Sequence, residues 1–211
     1  MFGKVDVVTA KNLGKFTIMT LASAILLPAS YILVRNNLIE NLSLESAGYW
    51  EAMTRVSAAY LMLVTATLKV YYLPRLSELK TSFDTRNEIF QGYKFILPIV
   101  IIGGLIIYLM RETIISILFT SNFFEMQRLF LWQIIGDCLK IASWLMGYVL
   151  AAKALTFWYV TSEVLFFLIF VTLASLLIDV IGIEGPSIAH AINYALHFVF
   201  MVTLLKFKKL I

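Results

Sequence analysis

The sequence has little charge, a single cysteine and few prolines for its length. Charged residues make up 14% of the 211 residues, whereas 61% are hydrophobic. A soluble domain is nearer half apolar and a quarter charged, so the composition excludes a disordered chain and argues against an ordinary soluble domain. Because Cys138 has no second cysteine to join, no disulfide within the chain and no cysteine-based metal cluster can form. We expect Cys138 to be a packing residue.

Common catalytic motifs are absent as well. No GxSxG, HExxH, P-loop or GxGxxG pattern occurs, and each of these is a recognisable signature of its chemistry. The carboxylates are scattered along the chain, which argues against a membrane-embedded glycosyl or acyl transferase. No metal or other cofactor is expected. The formal net charge is +4, but in a chain this apolar the basic residues set membrane topology, so we do not expect a nucleic-acid partner.

The sequence is rich in long apolar runs. A transmembrane helix needs about 20 mainly apolar residues, and six runs reach roughly that length. They predict an all-α, polytopic membrane protein in which residues 1–211 form a single lobe of six transmembrane helices. The predicted spans cover residues 13–35, 47–72, 93–110, 128–152, 156–178 and 186–205.

The connections between these runs alternate in basic charge. If the N-terminus is cytoplasmic, eleven basic residues lie on the cytoplasmic side and three on the other. This bias follows the positive-inside rule and predicts that both termini face the cytoplasm. The eleven are Lys4, Lys11, Lys15, Arg75, Lys80, Arg86, Lys94, Lys153, Lys206, Lys208 and Lys209; the three are Arg35, Arg111 and Arg128.

Two connections carry apolar residues of their own. In residues 73–83 the apolar side chains recur at helical spacing, which predicts an interfacial helix on the cytoplasmic leaflet. Residues 114–119 are apolar but too short to span, so we expect them to pack at the outer interface.

Charged residues within the predicted spans are candidate functional residues, because charge in hydrocarbon is costly. Asp137 and Lys140 lie near the middle of the fourth span and share a helix face. They form either a structural ion pair or the lining of a solvated cavity. Arg55 and Lys69 lie fourteen residues apart on one face of the second span, and Glu51 precedes Arg55 by four, a favourable helix pair. Both are candidate cavity cations, although Lys69 is near enough to the span end to snorkel.

The last two spans also carry polar groups. Glu163 lies about seven residues into the fifth span, where burial disfavours the ionised form; it is either a candidate proton carrier or a hydrogen-bonding residue between helices. His190, Asn193 and His197 form a stripe on the sixth span. The stripe is either a polar packing seam or a proton-coupling element, since histidine titrates near neutral pH. Two histidines on one face do not make a metal site.

The sequence resembles a family of bacterial membrane proteins, the Wzx-type flippases for lipid-linked oligosaccharides, within the multidrug/oligosaccharidyl-lipid/polysaccharide exporter superfamily. The resemblance is to their C-terminal half, and within the family it is strongest to the branch that serves the enterobacterial common antigen. No single stretch is diagnostic, but the order and spacing over some 190 residues are specific. The stretches are LGKFT (13–17), LPASYILVR (27–35), GYW (48–50), YLPRLS (72–77), KFILP (94–98), WQIIGDCLK (132–140) and GYVLAAK (147–153).

The resemblance implies a function and a set of partners. Such flippases have two six-helix lobes around a central cavity. They move an undecaprenyl-pyrophosphate-linked glycan from the cytoplasmic to the periplasmic leaflet of the inner membrane, for enterobacterial common antigen or O-antigen assembly. A missing N-terminal lobe, from the same gene or a separate chain, is then a partner, as are membrane lipids and polysaccharide polymerase or chain-length machinery. We expect the chain to be a fragment, a truncated gene product or half of a split transporter.

With this resemblance, the charged residues take provisional roles. The substrate-cavity candidates are Arg55, Lys69, Asp137 and Lys140, and the ion-coupling candidates are Glu163, His190 and His197. Cations in the cavity would offset the pyrophosphate charge. Two other functions stay open: a multidrug-exporter-like lobe of the same superfamily, for which acidic cavity residues would be expected, and a partner subunit that does not transport.

Overall fold

The computed structural model describes residues 7–211, with side chains from Leu13 onward. Lys4 and Lys11, both counted as cytoplasmic, therefore lie outside the residues whose side chains are described. Over the described range the chain is helical and contains no strand, which confirms the all-α prediction. The helices are α1 (Val7–Asn41), α2 (Leu44–Thr67), α3 (Leu73–Glu78), α4 (Ser82–Leu109), α5 (Arg111–Leu118), α6 (Phe130–Ala152), α7 (Thr156–Ile181) and α8 (Gly185–Phe207).

Six of these helices are long and apolar enough to cross a bilayer. They are α1, α2, α4, α6, α7 and α8, and the shortest, α6 and α8, have 23 residues each. At 1.5 Å per residue, 23 residues reach about 35 Å, more than the roughly 30 Å hydrocarbon core. Helices α7 and α8 lie in one continuous 52-residue apolar stretch, Thr156–Phe207, and are separated by a 3₁₀ turn, Gly182–Glu184.

The α7–α8 turn depends on two glycines. Gly182 has φ +81°, a left-handed conformation that glycine adopts without steric cost. A Cβ on Gly185 would lie 2.6 Å from the Ile178 nitrogen and 2.7 Å from the Leu177 oxygen. The first residue of α8 thus packs directly on the backbone of α7, and Pro186 follows in the first helical turn, where its missing N–H is not needed.

The connection after α2 differs from the predicted interfacial helix over residues 73–83. Helix α2 runs on through a π-helical turn, Leu68–Tyr72, into α3, and the chain breaks only at the extended residue Leu79. Pro74 cannot donate a backbone hydrogen bond, and the adjacent wide turn accommodates that loss. Phe83 belongs to α4, which begins after Thr81 because the Thr81 hydroxyl accepts from the Asp84 N–H at 3.0 Å.

The second apolar connection, residues 114–119, covers the second half of the short helix α5 and the extended residue Phe119 that ends it. Ile115 at its centre is fully buried, whereas Ile117 and Leu118 are exposed. A 3₁₀ segment, Ser121–Leu129, then leads into α6. The chain at this end of the lobe is therefore helical but too short in each piece to cross the hydrocarbon core.

The buried apolar residues form two clusters along the length of the lobe. One holds Met53 of α2 and Phe130 and Ile134 of α6; the other holds Leu61 of α2 and Ile141 of α6. Between them, on the same helices, lies a layer of buried polar side chains. Cys138 packs against both clusters, which agrees with the packing role predicted for it.

Candidate functional site

Asp137 of α6 is the centre of the buried polar layer. The residue is 0% exposed, and its carboxylate accepts three hydrogen bonds from two other helices. From α2, Ser57 Oγ and Tyr60 OH donate to Oδ2, the latter at 2.9 Å. From α8, His190 Nε2 lies 3.1 Å from Oδ1. An ionised carboxylate only accepts, so His190 presents its Nε2 proton, and three donors offset the cost of burying the charge.

Two further side chains extend this network towards the α7–α8 turn. Gln133 Nε2 lies 3.5 Å from Ser57 Oγ, and Ser187 Oγ donates to Gln133 Oε1 at 3.2 Å. All three side chains are buried. The network thus connects α2, α6 and α8 at mid-height, and its members are satisfied largely by one another.

A glycine allows these helices to approach. A Cβ on Gly136 would lie 2.2 Å from Cδ2 of His190 and 3.0 Å from the Ala191 nitrogen. Since real Cβ atoms do not come that close, any larger residue would push α8 away from α6. Because Gly136 has no side chain, α8 can approach α6 closely enough for His190 to contact the Asp137 carboxylate.

Lys140 does not form the ion pair with Asp137 that its spacing allowed. Its ammonium lies over aromatic rings, with Nζ 4.9 Å from the centroid of Trp144 and 6.0 Å from that of Tyr194. Among the described side chains, the basic group that contacts the Asp137 carboxylate is the His190 imidazole, at 3.1 Å. The short aspartate side chain is oriented by partners on α2 and α8, whereas the longer lysine side chain extends to the rings, which attract a desolvated cation.

Helix α2 carries the other cations on an exposed face. The predicted Glu51–Arg55 pair is confirmed, with Arg55 Nη2 2.6 Å from Glu51 Oε1. Glu51 also contacts Arg35 of α1 at 3.4 Å, a partner that the sequence analysis missed. Two guanidinium groups therefore share one carboxylate, and the Arg55 side chain remains 75% exposed. Lys69, in the π-helical turn, is exposed as well.

The polar stripe of α8 divides between two environments. His190 binds Asp137, as above. His197 Nδ1 lies 2.9 Å from Ser143 Oγ, and Ser143 donates its own proton to the Lys140 carbonyl at 3.0 Å. Ser143 has one proton, so His197 donates from Nδ1. Asn193 lies between the two histidines in the wall of a cavity among α1, α6, α7 and α8, which Glu163 also lines.

The described side chains form no metal centre. Within residues 13–211, no group of three or more histidine, cysteine or acidic side chains is close enough to hold a metal ion. The side chains form instead a buried hydrogen-bonded layer around Asp137. Beside it the Lys140 ammonium lies over two aromatic rings, and Arg55 and Lys69 are exposed.

Comparison with known proteins shows which ones this chain resembles. Over 189 residues, 90% of the chain, it is 35% identical to the lipid III flippases of Escherichia coli K12 and Shigella flexneri. The sequence is similar to lipid III flippases. The matched part is 45% of those relatives, so the chain spans about half their length, in agreement with a single lobe. No protein-family model matches the chain.

The fold has a solved counterpart as well. The chain superposes on the Vibrio cholerae MATE transporter VcmN, in its bent form, with a TM-score of 0.69. The match covers 95% of this chain and 47% of the transporter at 16% identity, so it concerns the fold alone. These relatives are named as flippases or transporters and not as enzymes. Together with the six long apolar helices, they show a multi-pass membrane protein, and they confirm the resemblance predicted from the sequence.

Proposed function

We propose that this chain is the C-terminal lobe of a flippase that moves an undecaprenyl-pyrophosphate-linked oligosaccharide across the inner membrane, from the cytoplasmic to the periplasmic leaflet. Its similarity to the lipid III flippases supports enterobacterial common antigen assembly as the pathway. The substrate presents two problems: a diphosphate and hydrophilic sugars must pass about 30 Å of hydrocarbon. The lipid tail can stay in the bilayer, while the head group needs a wet path with compensating positive charge.

The observation that carries the proposal is the exposed face of α2. Arg55 and Lys69 lie at its ends, fourteen residues or about 21 Å apart, and the residues between them are mostly small. The face is bordered by the exposed apolar residues Leu63 and Val70. The members of the face, all exposed, are Arg55, Ala58, Ala59, Met62, Ala66 and Lys69.

We take helix α4 as the lipid-facing surface of this lobe for comparison. Its exposed residues in the apolar stretch are large and aliphatic, as expected where acyl chains are the solvent. Cations and alanines exposed on α2 do not fit that environment, because charge facing hydrocarbon is costly. They fit the wall of a water-filled cavity closed by a second lobe. The exposed aliphatic residues of α4 are Ile99, Ile101, Ile102, Leu105, Ile106 and Leu109.

Complementation tests the function. In an Escherichia coli strain that lacks its lipid III flippase, we expect the 211-residue chain alone not to restore surface enterobacterial common antigen, because half of the cavity wall is absent. Co-expression with the first half of the Escherichia coli flippase is expected to restore it. Restoration by the chain alone would reject the half-cavity proposal.

The wet face of α2 is testable in a two-lobe protein, made by fusing the chain to a cysteine-free first half of the Escherichia coli flippase. In a Cys138→Ser background of this fusion, a cysteine at Ala58 or Ala66 is expected to react with a membrane-impermeant maleimide in nanodiscs, whereas one at Ile102 of α4 is not. Equal protection of all three positions would place α2 against lipid and remove the support for a cavity.

The orientation of the lobe follows from its basic residues. We infer that both termini are cytoplasmic, because eleven basic residues on that side against three on the other follow the positive-inside rule. Cysteines at Asn41 and Asp179 are expected to be labelled from the periplasm of intact cells, and one at Thr81 only after permeabilisation. Labelling of Thr81 from outside would reject the orientation.

A further inference from the structure

An apolar groove, here called the α4–α6 groove, runs between these two helices on the surface of the lobe. Its floor is Ile134 of α6, which is only 9% exposed. The floor is closed because α4 and α6 touch beneath the walls: a Cβ on Gly104 of α4 would lie 2.7 Å from Cγ2 of Ile134. The walls are four side chains between 38% and 54% exposed, two from each helix: Ile101 and Leu105, and Leu131 and Ile135.

The size of the α4–α6 groove suits a hydrocarbon chain. Its volume is about 490 Å³, about sixteen times that of a water molecule in the liquid. Along α4 it extends from Ile101 to Tyr108, seven residues or about 10 Å, and Tyr108 is one residue from the end of that helix. One leaflet of the hydrocarbon core is about 15 Å deep. The groove therefore covers much of a single leaflet, as one acyl chain does.

A guanidinium group lies at the end of the α4–α6 groove. Arg111, the first residue of α5, places its Cζ atom 4.6 Å from the centroid of the Tyr108 ring, and its Nη1 donates to the Tyr108 carbonyl at 3.0 Å. Both contacts are to a residue that lines the groove. Stacking on the ring fixes the plane of the guanidinium, and its other N–H groups can donate to a ligand at the groove end.

The charge of Arg111 is not balanced by a carboxylate. Of the three arginines predicted on the outer side, Arg35 and Arg128 each contact a carboxylate, at 3.4 Å and 2.8 Å. Among the described side chains, no carboxylate lies within 4.0 Å of Arg111, not even that of the adjacent Glu112. At the end of a membrane helix the available anion is a lipid phosphate, which matches the planar fork of a guanidinium in bidentate geometry.

We propose that the α4–α6 groove binds one anionic phospholipid of the bilayer, a phosphatidylglycerol, with an acyl chain in the groove and the phosphate at Arg111. A headgroup without an amine is favoured because Arg111 already supplies the positive charge, and an ammonium beside it is repelled. The site lies within this one lobe, between α4 and α6, and it does not depend on the proposed flippase function.

Native mass spectrometry of the 211-residue chain in detergent, titrated with phosphatidylglycerol, tests the site. About one tightly bound lipid per chain is expected. Arg111→Gln is expected to weaken binding by at least about 10-fold, because a charge-assisted contact to the phosphate is lost, and Arg111→Lys should keep part of the affinity. Arg35→Gln removes the same group on the same side, but from α1, which does not line the groove, and is expected to bind like the unmodified chain.

A second pair of variants tests the groove itself. Ile135→Phe enlarges a wall side chain into the space that the acyl chain needs, so we expect weaker binding of phosphatidylglycerol. Ile102→Phe makes the same enlargement at a position of α4 that is 58% exposed and outside the groove, and it should bind with unchanged affinity. If Ile135→Phe does not fold, the comparison of Arg111→Gln with Arg35→Gln decides.

Three results would overturn the proposal. Unchanged binding by Arg111→Gln would remove the phosphate contact, and equal affinity for phosphatidylglycerol and phosphatidylethanolamine would remove the headgroup preference. Displacement of phosphatidylglycerol by an equimolar amount of undecaprenyl phosphate would assign the groove to the prenyl lipid instead. None of these measurements involves flipping, so failure of the lipid site and failure of the proposed function are distinguishable.

Discussion

Replacing Asp137 with alanine is expected to destabilise the lobe by about 3–5 kcal/mol, because three buried hydrogen-bonding partners lose their acceptor. The change leaves Ser57, Tyr60 and His190 facing a hole with no acceptor, and each buried donor without a partner costs about 1–3 kcal/mol. The loss also uncouples α2 from α6 and α8 at mid-height. In a melting experiment this corresponds to a fall of about 6–20 °C for a chain of this length.

Two variants separate this effect from a simple loss of negative charge. Asp179→Ala removes a carboxylate from an exposed position near the end of α7 and should leave the melting temperature within about 2 °C, since surface changes are usually within 0.5 kcal/mol. Asp137→Asn keeps one acceptor oxygen, so its melting temperature should lie between those of Asp137→Ala and Asp179→Ala. If Asp137→Ala has the same melting temperature as Asp179→Ala, the Asp137 carboxylate does not stabilise the polar layer.

The sequence predicts the helices well because two independent constraints act on them. A membrane helix must be long enough to cross the hydrocarbon, and its backbone must be satisfied internally, so apolar runs give the number and the centres of the helices. They do not give the ends. Helix α4 begins at Ser82, eleven residues before the predicted span, because capping by Thr81 and not hydropathy fixes where a helix starts.

The site was only half predictable for a different reason. Asp137, Lys140 and His190 are polar residues in apolar runs, so they can be recognised as candidates from the sequence alone. Their partners cannot, because Ser57 and Tyr60 lie about 80 residues from Asp137 and look like ordinary helix residues. Only the rotation and depth of α2 relative to α6 bring them together, and the choice between Asp137–His190 and Asp137–Lys140 depends on that geometry.

The geometry also changes what is expected of Lys140. If Lys140 were the partner of Asp137, its removal would leave a buried carboxylate without a counter-charge and destabilise the fold. In the structure Asp137 has three other donors, and Lys140 lies over Trp144 and Tyr194. Lys140→Met should therefore insert normally and melt within about 2 °C of the unmodified chain. A fall as large as that of Asp137→Ala would show that the lysine is a structural partner after all.

We expect Lys140→Met to slow transport and not to lower the melting temperature. In a two-lobe flippase containing this chain, the variant is expected to flip lipid-linked oligosaccharide about 10–100-fold more slowly, since a charge-assisted contact to the pyrophosphate contributes about 1.5–3 kcal/mol. Lys140→Arg should keep part of the rate, because the charge remains while its shape changes.

Lys94 is a matched control for Lys140. Its ammonium also lies near an aromatic ring, 5.7 Å from the centroid of Phe95, but on helix α4. Because Lys94 lies outside the proposed cavity wall, Lys94→Met should flip at the unmodified rate, and equal rates for the two methionine variants would remove Lys140 from the substrate path.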